Sequence, residues 1–131
     1  GFLNSMTALN DFIQHETSMP TYPGACCRMV DKWITEATGQ SALGRFGRDF
    51  ENEGDVQEWL AEPGGLAVAV NRVMRTCGFA KTKEPLPGDV GLVIKEGKTL
   101  CMAILTNNGW LVRDDRGFSV VPSFWKAWAI R

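Results

Sequence analysis

The chain has 131 residues, 44% hydrophobic and 22% charged, which is the length and apolar content of one globular domain, 1–131, built around a single core. Fourteen basic against fifteen acidic side chains leave a formal net charge of −1, and this removes the bulk electrostatic case for nucleic acid or an anionic membrane as partner. No apolar run approaches the roughly 20 residues that span a bilayer, and cysteines at 26, 27, 77 and 101 beside one histidine lack the paired spacings and imidazoles of a zinc site, so no membrane insertion, metal or cofactor is expected.

The opening Gly1-Phe2-Leu3-Asn4-Ser5 ahead of Met6 has neither the basic region nor the long apolar core of a signal peptide. The expectation is a start at Met6, with residues 1–5 left over from expression cloning. From Thr7 as cap, Leu9, Phe12 and Ile13 share one face of a short amphipathic helix. His15 falls on the flank of that stripe and reads as a surface histidine. Met19 to Gly24, with two prolines and a glycine, breaks the helix.

A second helix begins near Ala25 or Cys26 and runs to Thr38, with Gly39 as its stop. Cys26, Val30, Trp33, Ile34 and Ala37 recur at three- and four-residue spacing and mark a core-facing side. Residues 40–52 are mixed and read as a loop with at most one helical turn. In that loop Arg45, Phe46, Arg48 and Phe50 form a basic, aromatic patch, and Arg45, Phe46 and Arg48 are candidate binding residues. Two further helices follow, Asp55–Ala61 and Leu66–Cys77, stopped by Pro63-Gly64-Gly65 and Gly78. The helical half thus spans about 7–79, and a proline-containing connector covers 80–88.

After the connector the period changes to two. Runs at 89–94, 99–105, 110–113 and 118–121 are β-rich and are separated by Glu96-Gly97, Asn107-Asn108-Gly109 and Asp114-Asp115-Arg116-Gly117. Residues 125–130 supply a last strand. Helices first and an antiparallel meander over 89–131 give an α+β class. Asp114 and Asp115 are ordinary turn formers here. Five tryptophans and seven phenylalanines predict a dense core, with some aromatic surface left for binding.

The residue with chemistry is Cys26. A thiol in the first turn of a helix faces free backbone N–H groups and the positive end of the macrodipole, which favour the thiolate. The competing reading is a small buried hydrophobe, which applies equally to Cys27, Cys77 and Cys101. Adjacent cysteines make a poor disulfide framework, so reduced thiols and cytosolic synthesis are expected.

A thiol opening a core helix, followed by Pro87-Gly88-Asp89-Val90 leading into a meander, resembles the NlpC-type cell-wall peptidases of the papain-like superfamily. More closely, the chain resembles a related phage-encoded family of unknown function found in tail gene clusters. The pieces that carry this are Pro23-Gly24-Ala25-Cys26-Cys27, Asp31-Lys32-Trp33-Ile34 with Thr38-Gly39, Gly44-Arg45-Phe46, Pro63-Gly64-Gly65-Leu66 and Ala127-Trp128-Ala129-Ile130-Arg131. The resemblance implies helices packed on a small curled half-barrel, with Cys26 at the nucleophile position. It also implies a histidine on the second strand, ahead of Ala103-Ile104-Leu105, but Cys101 stands there, and Ala25 stands where aspartate is common. A thiol lacks the pKa and the two-nitrogen geometry of an imidazole base. If the family geometry brings Cys26 and Cys101 together, oxidation would join them. The implied function is a catalytically inactive NlpC-like protein serving as a structural or assembly component of a phage tail. It would be made in the host cytoplasm, with other tail proteins as partners. An active thiol peptidase or amidase acting on peptidoglycan through Cys26, unaided or with His15, is one alternative. A phage protein that binds a host partner is the other.

Overall fold

The computed structural model describes residues 2–22, 24–47, 53–114 and 116–130. Five helices precede five strands: α1 (Phe2–Thr17), α2 (Ala25–Thr38), α3 (Ala42–Phe46), α4 (Glu53–Leu60) and α5 (Gly65–Cys77), then β1 (Val90–Lys95), β2 (Thr99–Thr106), β3 (Gly109–Asp114), β4 (Gly117–Val121) and β5 (Lys126–Trp128). The α+β class holds. One local expectation changes: helix α1 does not start at a Thr7 cap but continues back to Phe2. The stretch read as a loop with at most one helical turn holds the five-residue helix α3, whose first amide nitrogens are satisfied by side chains.

Those side chains are Ser41 and Asp31. Ser41 Oγ accepts from the Gly44 amide at 3.0 Å, while Asp31 Oδ1 accepts from the amides of Ala42 at 2.7 Å and Leu43 at 3.1 Å. One carboxylate on α2 thereby caps a neighbouring helix. This is the long-range version of the N-cap bond that an isolated sequence window cannot display.

The sheet is antiparallel throughout, ordered β4-β3-β2-β1-β5. Its faces serve two cores. Met29, Val30, Trp33 and Ile34 of α2 pack against Val90, Leu92, Met102, Ile104, Leu111 and Trp128, whereas Val93, Cys101, Ala103, Trp110, Val112 and Ala127 form a smaller cluster on the other face. Phe124 closes the second cluster against Trp110, with ring centroids 5.3 Å apart. On α2, Ala25 and Met29 are buried and Ala37 is exposed, so the buried stripe sits slightly rotated from the one expected.

The buried polar residues Glu16, Asp89 and Arg113 fasten the layers. Asp89 accepts from the amides of Leu86 at 2.8 Å and Ile130 at 3.1 Å, and Trp33 Nε1 donates to the Gly88 carbonyl at 2.7 Å. These contacts tie the connector to both halves. Glu16, fully buried at the end of α1, is ion-paired with Arg113 of β3 and with Lys32 of α2 at 2.5 Å, and accepts from the Tyr22 hydroxyl at 2.5 Å. Arg113 also donates to the carbonyls of Glu16 at 3.2 Å and Met19 at 2.6 Å. Its guanidinium lies between the rings of Tyr22 and Phe118, 4.8 and 4.7 Å from their centroids. Burial pushes the Glu16 carboxyl up, and the hydrogen bonds from Lys32, Tyr22 and Arg113 overcome this and hold it below its ordinary value of 4.5.

Removing one partner of a buried pair strands the other charge, so Arg113→Met is expected to cost about 3–5 kcal/mol of stability in urea unfolding. A loss under 1 kcal/mol would show that the cluster is not a fastening. Because the Glu16 pKa is depressed on folding, its contribution is complete above pH 4.5 and fades as the pH falls below that value. A second prediction concerns Gly91, where an added Cβ would sit 2.6 Å from the Lys126 carbonyl oxygen and 2.9 Å from the Trp110 ring. Gly91→Ala is expected to destabilise by about 1–3 kcal/mol through overpacking, measurable as a lowered thermal midpoint.

Candidate functional site: the cleft at the start of helix α2

Gly24, at the N-cap of α2, has φ 67° and ψ 29°. Glycine adopts this left-handed conformation without steric cost, and the helix begins directly after it. The Gly24 carbonyl then accepts from the Arg28 amide at 2.9 Å, the first bond of α2. Cys26 is consequently the second residue of the helix, as expected from sequence. Its sulfur lies 3.7 Å from that of Cys27. Both thiols are half-buried and pack on the edge of the larger core.

Cys26 lines a cleft of about 620 Å³ whose walls include Tyr22, Cys27, Val56, Gln57, Leu60 and Asp114. Three elements meet there. The start of α2 brings the thiols, α4 brings the apolar wall and Gln57, and the end of β3 brings a carboxylate. Asp114 is ion-paired with Lys95 of β1 and accepts from the Arg116 amide at 2.9 Å. The Lys95 hydrogen bond holds its carboxyl below the usual carboxylate range, and the same contact raises Lys95. Asp114 is thus an anion at neutral pH.

The other predicted site residues fall in different places. Cys101 is buried on β2 in the cluster with Val93, Ala103, Trp110 and Val112, while Leu100, Met102 and Ile104, alternating with it, face the helices. Strand alternation therefore turns Cys101 toward the opposite core from the one on which Cys26 packs. No disulfide joins Cys101 and Cys26. Burial, followed by the charge of Cys26, pushes the Cys101 thiol up to about 11. His15 is exposed near the end of α1 and is not among the described residues that line the cleft. Arg45 is exposed and donates to the Cys77 carbonyl at 3.4 Å, at the end of α5. Phe46 is half-buried and stacks on Trp59, with centroids 6.2 Å apart. Neither lines the cleft, and Arg48 lies outside the described residues.

Amide hydrolysis by a thiol needs one group to take the thiol proton and return it to the leaving amine. The cleft supplies the thiol and a carboxylate. Asp114 is a weak base because its pKa is depressed, and Cys101 carries its proton at neutral pH. Among the described residues lining the cleft there is no imidazole, and no cluster of three or more metal-ligating side chains occurs among the described residues.

Sequence reading missed Asp114, whose turn-forming composition masked its position as the last residue of a strand. The missed clue was register: tight closure of the β3–β4 hairpin, pairing Asp114 with Gly117, puts Asp114 inside the ladder. Differential alkylation tests the site as described. At neutral pH Cys26 is expected to react first, with Cys77 and Cys101 modified only on unfolding. Modification of Cys101 at the rate of Cys26 would contradict its burial.

A family model described as a domain of unknown function (DUF6950) matches residues 4–130. No curated protein and no solved structure matched the chain.

Proposed function

The chain belongs to the DUF6950 family, whose span leaves out only residues 1–3 and the last residue, and for it we propose a non-catalytic role on a papain-like, NlpC-type scaffold. One observation carries the reading. The strand position that the resemblance assigns to the general base is occupied by Cys101, a buried thiol with its pKa pushed up to about 11, which stays protonated at neutral pH and accepts nothing. Among the described residues that line the cleft with the helix-start thiol there is no imidazole.

On this reading the protein is phage-encoded and acts as a structural or assembly component of the virion tail, with other tail proteins as partners. The support for the tail is the ordered set of short motifs described above. A binding role is also consistent with the apolar side chains left on the surface, since Leu86, Ile94, Val120 and Trp125 are each about half exposed. No helix among the described residues is long and apolar enough to cross a membrane. An active peptidase draws its support from one feature, the access of Cys26 to the cleft.

Two measurements separate these readings. Purified protein and its Cys26→Ala variant are both expected to release no peptide fragments from peptidoglycan above the buffer control. Release by the parent that vanishes in the variant would establish the hydrolase instead. Deleting the gene from the phage that carries it is expected to give particles without complete tails, and normal tails would remove the tail role.

A further inference from the structure

Adjacent cysteines on a helix do not ordinarily meet, because successive side chains leave an α-helix about 100° apart and point to different sides. Cys26 and Cys27, in the first turn of α2, nevertheless hold their sulfurs 3.7 Å apart. Both side chains are half-buried, and both line the cleft of about 620 Å³. The two thiols are turned together, at the wall of an opening large enough to admit a ligand.

The spacing decides what such a pair can do. A disulfide draws its sulfurs to about 2.05 Å and sets its Cα atoms about 4.4–6.8 Å apart, whereas residues joined by one trans peptide have Cα atoms about 3.8 Å apart. Joining Cys26 to Cys27 would therefore require the first turn of α2 to give way. A cation between them requires no such change, since two thiolates at about 2.3 Å from a tetrahedral zinc stand about 3.8 Å apart, close to the separation already present. Backbone N–H groups at the start of a helix favour the thiolate and so reduce the cost of ionising the pair.

We propose that Cys26 and Cys27 chelate one exchangeable thiophilic divalent cation, of the class to which zinc and cadmium belong. Two metal–sulfur bonds replace two of the ion's bound waters, both thiol protons pass to solvent, and no oxidation state changes. No group of three or more metal-ligating side chains occurs among the described residues, and Asp114 on the cleft wall is committed to Lys95. The site is therefore an open one rather than a closed four-ligand one. Its remaining positions face the cleft, where water or a donor atom of an entering molecule completes them.

Cadmium is the probe, because its thiolate complexes absorb in the ultraviolet. Titrating the reduced full chain at neutral pH is expected to raise a sulfur-to-cadmium band that saturates at one ion per chain. Cys26→Ser and Cys27→Ser are each expected to lose that band. On the parent chain, cadmium is expected to protect Cys26 and Cys27 together from iodoacetamide, read by peptide mass, and to leave Cys77 and Cys101 as they were. Affinity is expected to fall about a hundredfold per pH unit below the thiol pKa values, because two protons leave, where a single thiol would give about tenfold. No saturable band, a band kept in either serine variant, protection of Cys26 alone, or the tenfold slope would each overturn the chelate.

Discussion

The buried pairing of Glu16 with Arg113 is the constraint on which the rest of this structure depends. Three separate segments meet in it: the end of α1, the middle of α2 through Lys32, and the far end of β3. A hydrophobic contact at this point would tolerate sliding, but a carboxylate shared among a guanidinium, an ammonium and a phenol does not. Ionic burial of this kind is weak evidence for net stability, since desolvation consumes much of the attraction. Its effect is geometric. With Arg113 also holding the Glu16 and Met19 carbonyls, the chain leaving α1 is led past Tyr22 to Gly24, and the start of α2 is set beside the end of β3.

That placement makes the cleft. Tyr22, whose hydroxyl is engaged by Glu16 and whose ring lies against Arg113, is also one of the cleft walls. Burial and then the Glu16 hydrogen bond and charge raise the Tyr22 hydroxyl, so it remains a neutral donor. The site thus has a rigid polar back and a thiol at its mouth, together with a carboxylate already neutralised by Lys95.

Helical and strand periods were readable in the sequence because burial imposes them locally. Trp33 and Ile34 could face only a core, and the glycines after α2 and α5 could only end helices. The hairpins were readable for the same reason, through Asn107-Asn108-Gly109 and Asp114 to Gly117. What escaped was every feature that depends on two distant segments meeting. Asp31 caps α3 from a different helix, and Glu16 and Arg113 lie almost a hundred residues apart. Cys101 was identified as the residue at the base position, yet which way it points is set by strand alternation relative to α2. Composition carries no trace of that.

The cleft and the outer part of the sheet are joined by contact. The ring of Phe118 on β4 lies against the Arg113 guanidinium, and so does the ring of Tyr22, a wall of the cleft. Arg113 has little slack of its own, since Nη1 and Nη2 are engaged and only its buried Nε lacks a partner. The wall of the cleft and the end of the sheet therefore form a single packed unit, held at one guanidinium.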